Sequence, residues 1–238
     1  MSLPKIYDWE KIRAALQLLE QQFPDLFPLW QLVGGGACWF YRRSLELAQD
    51  PDFRSPPLTP EQEYVWLSKD VDFMGISREE AAQLFGAPVK PETRTITFAG
   101  LEVDFVEQGL HMTERESADS ARLVQATGFD FYVADAALLY DEKVALVATK
   151  SRPQDILHRD LLAEFLKLEF CRDAEHPEQL DTRDWLKRAQ VVKTANFNFF
   201  SDDPRLPRRL ASAIRALTRH EHRALKHWAR HNLPGYTE

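Results

Sequence analysis

Several residue types are scarce in this sequence of 238 residues, and each scarcity excludes a class of protein. There are two cysteines, Cys38 and Cys171, which are too far apart for a metal-ligand pair and indicate reduced thiols. No run of about 18 apolar residues is present to cross a membrane. The N-terminus also lacks the charged start, apolar run and cleavage site of a secretory signal. We therefore expect a cytoplasmic protein with no membrane partner.

Basic charge is also in deficit, because the formal net charge is −7. This balance argues against a protein covered in basic residues for nucleic acid. The deficit is uneven, however: residues 205–230 carry eight lysines and arginines against one acid, Glu221. These bases are at positions 205, 208, 209, 215, 219, 223, 226 and 230. The C-terminal segment is therefore basic on an acidic protein.

The hydrophobic periodicity changes about halfway along the chain. Short strand patterns alternate with helical ones as far as residue 135, including a hairpin about Ala99-Gly100 and a helix opened by a capping box at Ser77 and Glu80. From residue 136 the period is helical, and one long helix is predicted from about Leu206 to His231. We therefore predict an α/β domain over 1–135 and a helical domain over 136–238.

Glycine is scarce too, and three of the nine glycines are consecutive. Gly34, Gly35 and Gly36 follow the apolar strand pattern WQLV and precede a helix predicted from Ala37 to about Ala48. Such a run lets backbone N–H groups and a helix N-terminus approach an anion, usually phosphate. A tight turn explains the same run equally simply. It is neither a dinucleotide fingerprint, since Trp39 stands where glycine is needed, nor a P-loop.

Two further motifs consist of acids set in strand patterns. In SKDVDF, Asp70 and Asp72 are two residues apart, so both carboxylates leave one face of a strand. Their mutual repulsion is relieved by a hard cation such as Mg²⁺ or Mn²⁺. In GLEVDF, Asp104 lies on the opposite strand face from Val103 and Phe105. Taken alone, each motif is also explained by a solvated strand surface.

In this order, the three motifs resemble the nucleotidyltransferase fold of the DNA polymerase β superfamily. GGGA and SKDVDF are most similar in look to the prokaryotic AbiEii-like toxin and minimal nucleotidyltransferase branch, which belongs to toxin–antitoxin systems. The resemblance spans roughly residues 30–168. It implies a mixed sheet flanked by helices, and a later lysine followed by an Arg-Asp pair that opens the next helix. Lys143 and Arg159-Asp160 match these in order.

The resemblance also implies roles for individual residues. Asp70, Asp72 and Asp104 would be catalytic and would hold two Mg²⁺ or Mn²⁺ ions. The nucleotide would be bound by a second set of residues: Gly34, Gly35, Gly36, Ser68, Arg42 and Lys143. Family members often have a basic residue just before the Ser-x-Asp motif, where this chain has Trp66 and Leu67. Arg42 and Arg43, one turn into the helix, are the substitutes that the sequence offers.

The function implied is metal-dependent transfer of a nucleoside monophosphate from an NTP to an acceptor hydroxyl on RNA, protein or a small molecule. The alternative is a non-catalytic scaffold of the same fold that binds nucleotide, RNA or a partner protein. A haloacid-dehalogenase-type phosphatase is disfavoured, because the polar LSK lead-in and Met74 do not fit its acid motif. The basic C-terminal residues either solvate a helix or bind an RNA acceptor such as a tRNA.

Overall fold

A computed structural model describes most of the chain: residues 9–60, 62, 70–110, 112–126, 129–176, 183, 186, 203–217, 223–233 and 235–237. The described helices are α1 (Trp9–Gln22), α2 (Gly34–Ala48), α3 (Arg78–Phe85), α4 (Glu114–Ser120), α5 (Ala136–Lys150), α6 (Pro153–Glu175), α7 (Arg205–Ala216) and α8 (Arg223–Asn232), with a 3-10 turn at Phe27–Leu29. The strands are β1 (Gln31–Leu32), β2 (Val71–Met74), β3 (Ile96–Phe98), β4 (Leu101–Phe105), β5 (Arg122–Ala126) and β6 (Phe129–Val133).

The six strands form one mixed sheet in the order β3-β4-β2-β1-β6-β5. The central strand β1 pairs antiparallel with β2 and parallel with β6. Strands β2 and β4 are parallel neighbours, and the two outer pairs, β3–β4 and β5–β6, are antiparallel. The predicted α/β class is therefore confirmed, with a mixed sheet flanked by helices.

The hairpin and the capping box are where their local patterns predict them. Ala99 and Gly100 connect β3 to β4 with φ angles of 49° and 82°. Both angles are positive, as a two-residue turn matched to the twist of the strands requires. Ser77 caps α3 by accepting the N–H of Glu80, whose side chain accepts the Ser77 N–H in return. Both predictions are confirmed.

An aromatic cluster fills the core on one side of the sheet. The Trp30 ring packs edge-on against Phe105, with centroids 5.2 Å apart, and Phe73 stacks on Phe105 at 5.6 Å. Alternate residues of a strand leave opposite faces. Because Phe73 and Phe105 enter the core, their neighbours Asp72 and Asp104 leave by the other face, away from the aromatic cluster.

The C-terminal part is helical, and the long helix α6 packs against α2, α5 and α7. The prediction of one helix from Leu206 to His231 is wrong. Helix α7 ends at Ala216, because Leu217 has the extended backbone angles φ −70° and ψ 123°, and α8 begins at Arg223. The described strands all lie within 1–135, while the division into domains at that point stays a prediction. Nowhere in the described part of the chain does a helix have both the length and the apolar character for crossing a membrane.

Candidate functional site

Strand pairing brings two of the three candidate acids side by side. Asp72 on β2 is the register partner of Asp104 on β4. Neighbouring strands are about 4.8 Å apart, which sets the separation of these two backbones. Asp70 lies one residue before β2, close enough for its negative charge to act on Asp72. Asp72 and Asp104 therefore lie side by side on one face of the sheet, with Asp70 near Asp72.

The glycine run meets this acid cluster directly. Gly34 has φ +60°, and a Cβ built on it would lie 1.9 Å from Oδ2 of Asp72. Only glycine therefore fits at position 34, both for its backbone conformation and for the space. The backbone N–H of Gly35 is close enough to the Asp72 carboxylate to lower its pKa, and Gly36 is packed against Leu32. The N-terminus of α2, with its positive dipole end, thus faces the acids.

This contact also corrects the predicted start of the helix. The sequence predicts Ala37 as the first helical residue, but α2 begins at Gly34. The glycines form the first turn of the helix instead of a loop before it. A Cβ would lie 1.9 Å from Asp72 at Gly34 and 3.1 Å from Leu32 at Gly36, so this turn has little room for side chains.

Asp72 is the most strongly perturbed carboxyl of this region. Its pKa is raised to about 8, first by burial and then by the negative charges of Asp70 and Asp104. The positive charge of Lys143 and the Gly35 N–H act in the opposite direction. Burial and the two neighbouring carboxylates therefore outweigh Lys143 and the Gly35 N–H in their effect on Asp72.

Asp104 has a different environment, because it forms a bidentate ion pair with Arg78. Nε of Arg78 donates to Oδ1 at 2.7 Å and Nη2 donates to Oδ2 at 3.2 Å. Both side chains are largely buried. The sequence does not single out Arg78, because a basic residue in the first turn of a helix carries no sign of a partner 26 residues away.

Lys143 is buried as well, and it is held by Asp155. Its Nζ lies 2.8 Å from Oδ1 of Asp155, and Nε of Arg152 donates to the other carboxylate oxygen at 2.6 Å. Burial alone would raise the pKa of Asp155, but the charges and hydrogen bonds of these two bases outweigh it and lower the pKa. Because Lys143 also lowers the pKa of Asp72, its charge faces the acid cluster.

The Arg-Asp pair of the resemblance is elsewhere. Arg159 and Asp160 bond to each other on the surface of α6 at 2.6 Å. The expectation that they open a helix is wrong, since α6 begins at Pro153 and the pair lies in its second turn. The acid that reaches Lys143 is Asp155, which no motif in the sequence singles out.

Two further predicted residues are placed differently. Arg42 forms an ion pair with Glu46 one turn along α2 at 3.2 Å, and it lines a cavity of about 180 Å³ together with Asp160. Its role towards nucleotide stays a prediction. Ser68 lies outside the described residues.

The donor set suits one divalent cation better than two. Within the ranges that the structure describes, no three His, Cys, Asp or Glu side chains are arranged as a metal site, and Arg78 bonds to both oxygens of Asp104. However, Mg²⁺ is commonly held by one or two carboxylates together with substrate phosphates and water. Asp70 and Asp72 fit that requirement, because they supply two neighbouring carboxylates whose oxygens are the hard ligands that Mg²⁺ prefers.

Comparison with solved structures identifies the architecture. One crystal structure that matches is described as an antigenic nucleotidyltransferase-like protein from Paracoccidioides brasiliensis. It superposes with a TM-score of 0.51 over 87% of this chain and 94% of its own, at 14% sequence identity. The chain has a nucleotidyltransferase-like fold. At this identity the likeness extends to the fold alone.

The sequence itself shows no detectable relatives in two other comparisons. No protein-family model matches the chain, and no curated protein matches it. The glycines at the start of α2 and the acids of β2 and β4 are therefore interpreted from their own geometry and chemistry.

Proposed function

We propose that this chain is a nucleotidyltransferase that moves a nucleoside monophosphate from an NTP to an acceptor hydroxyl and releases pyrophosphate. The observation that carries the proposal is the contact between Gly34 and Asp72. It joins a helix N-terminus suited to phosphate with a carboxylate suited to a divalent cation, and each of these alone has a simpler explanation.

The chain's own residues divide the work of the reaction. Backbone N–H groups at the start of α2 bind the phosphates, and Lys143 contributes positive charge from the same side. Asp70 and Asp72 would hold Mg²⁺ or Mn²⁺, and Asp104 would take part in holding a second ion. Bound there, the cation supplies neutralisation of the triphosphate and a lower pKa of the acceptor hydroxyl.

The bond changes balance without another reactant. The acceptor oxygen forms a bond to the α-phosphorus while the bond from that phosphorus to the bridging oxygen of pyrophosphate breaks. The hydroxyl proton passes to a carboxylate acting as general base, for which Asp104 is the candidate. The ion pair with Arg78 makes Asp104 a weaker base, so this role is favoured when Arg78 bonds elsewhere.

The decisive experiment measures label transfer. The purified protein is incubated with each α-³²P-labelled NTP, Mg²⁺ or Mn²⁺, and RNA, the chain itself or a small-molecule mixture as acceptor. Transfer should fall at least about 100-fold in Asp72→Asn and remain in Asp119→Asn, which changes an exposed acid of α4. Equal transfer by both variants would contradict the proposal.

RNA is one proposed acceptor. It would lie along the lysines and arginines of the C-terminal helices and extend towards Asp72 and Asp104. Replacing Arg215 and Arg223, together with Arg219 outside the described residues, by glutamine tests it. RNA binding should weaken and depend less steeply on salt, because fewer counterions are released. Unchanged affinity and salt dependence would exclude RNA on this face. A toxin role belongs to the same proposal and would appear as growth arrest that Asp72→Asn relieves.

A nucleotide-binding scaffold without catalysis is the second candidate, and the Arg78–Asp104 ion pair favours it. A carboxylate neutralised by a largely buried guanidinium is a weaker metal ligand and a weaker base. Calorimetry with NTP separates the two candidates. Affinity that is equal in EDTA and in Mg²⁺, with no transfer to any acceptor, would support the scaffold.

A further inference from the structure

Arg78 is placed by structure that is independent of the acids. It is the first residue of α3, whose N-terminus is fixed by the capping box of Ser77 and Glu80. Helix α3 packs on β3 and β4. The guanidinium therefore reaches Asp104 from an anchored backbone, and only 10% of the Arg78 side chain is exposed.

The ion pair engages both oxygens of Asp104, since Nε and Nη2 of Arg78 each donate to a different one. A metal ion that binds Asp104 directly therefore has to compete with a bidentate guanidinium for the negative charge of the carboxylate. A fixed positive charge beside the carboxylate also repels an incoming cation. Two more acids, Glu107 and Glu79, are near enough to favour the charged guanidinium.

We propose that Arg78 is an internal counter-ion that keeps Asp104 closed to metal in the nucleotide-free protein. The resting site then takes one divalent cation, at Asp70 and Asp72, and admits a second only after Arg78 releases Asp104. This inference rests on the metal site of the proposed function. It adds a positioning residue and an order of events: nucleotide first, second ion afterwards.

An arriving triphosphate provides the means of release. Arginine binds phosphate oxygens in the same bidentate manner as a carboxylate. A triphosphate at the start of α2 would therefore compete with Asp104 for Arg78 and bring compensating negative charge for a second cation. Arg78 would then pass from a carboxylate to the substrate, and Asp104 would become available as a ligand and base.

The test counts bound Mn²⁺ by electron paramagnetic resonance and calorimetry without nucleotide. The wild-type chain should bind one ion, and Arg78→Gln should bind two, with the Kd of the second at least about tenfold lower than in wild type. Arg78→Lys, which offers a point charge in place of a fork, should fall between them. Arg115→Gln breaks an exposed ion pair on α4 and should behave as wild type.

A second measurement needs only the wild-type chain. With a non-hydrolysable α,β-methylene triphosphate, the bound Mn²⁺ should rise by more than the ions that the free nucleotide carries, and Asp104→Asn should abolish this extra ion. The first ion should be unaffected by Asp104→Asn and lost in Asp70→Asn/Asp72→Asn.

The outcomes separate the two proposals. Two ions in the nucleotide-free wild type, or one ion in both wild type and Arg78→Gln, would overturn the role of Arg78 and leave the proposed function standing. Absence of Mn²⁺ binding in every variant, with and without the triphosphate, would overturn both.

Discussion

Asp72 on β2 and Asp203, just before α7, have opposite surroundings. Burial, together with the neighbouring carboxylates of Asp70 and Asp104, raises the pKa of Asp72 to about 8. Hydrogen bonds from Arg205 and Lys167 hold the pKa of Asp203 well below its usual range. The charged form is therefore disfavoured at Asp72 and favoured at Asp203.

This difference changes how the basic C-terminal segment should be interpreted. Arg205 bonds to Asp203 and Glu164, and Arg209 bonds to Asp50 and Glu175. Two arginines that count as basic excess in the sequence thus have intramolecular partners. Part of the basic excess of the C-terminal segment is therefore neutralised within the chain.

Replacing Gly34 by alanine should have the largest effect. The new Cβ meets Asp72 and the backbone has φ +60°, so we expect a loss of about 3–5 kcal/mol in the free energy of unfolding, measured in urea. Gly86→Ala is the matched control, because Gly86 has φ +63° and nothing within 4 Å. It should lose only about 1–2 kcal/mol. Equal losses of unfolding free energy in the two variants would mean that the contact with Asp72 does not require glycine at position 34.

Lys143→Met should cost about 2–4 kcal/mol, because it leaves the buried Asp155 with one basic partner fewer. Arg159→Met, which breaks an exposed pair, should cost less than about 1 kcal/mol. The double variant Lys143→Met/Asp155→Leu should regain part of the loss in chemical unfolding. If the effects of Lys143→Met and Asp155→Leu simply add in the double variant, the two residues are not coupled.

The pH dependence should single out Asp72. Its folded pKa lies above the unfolded value of 3.8, so its contribution to stability is fully present below pH 4 and is lost as pH rises through about 8. Asp72→Asn keeps an acceptor for the Gly35 N–H and has no charge. It should exceed wild type by roughly 1–3 kcal/mol at pH 9 and match it near pH 4.

Thermal melts across this pH range, with Asp119→Asn as a flat control, measure the effect. Adding Mn²⁺ at pH 8 should reduce the difference in stability between Asp72→Asn and wild type, because the ion stabilises wild type alone. A pH-independent difference between Asp72→Asn and wild type would contradict the perturbed carboxyl.

The smallest effect is expected at the paired bases. Arg209→Gln should lower stability by about 1 kcal/mol, because partly exposed ion pairs are screened by solvent. Arg208→Gln, at an exposed neighbouring position, should change stability by less than about 0.5 kcal/mol. If the two variants unfold alike in urea, the contrast between the two regions is weaker than the ion pairs indicate.

Local patterns predicted the local structure well. The hairpin at Ala99-Gly100, the capping box at Ser77 and the alternation of β4 each depend on residues within a few positions of one another. The single C-terminal helix was predicted wrongly for the same reason. Its periodicity continues through Leu217, and nothing nearby in the sequence indicates the extended backbone there.

The sequence predicted which residue types form the candidate site, but it did not predict their strand register or their ion pairs. The sequence by itself determined which residues leave the core face, because alternation sets Asp72 and Asp104 opposite Phe73 and Phe105. Only the tertiary structure decided that these acids are register partners, that Arg78 pairs with Asp104, and that Asp155 holds Lys143. Strand order and ion pairing join residues far apart in the chain, and hydrophobic periodicity contains no information about which distant segments meet.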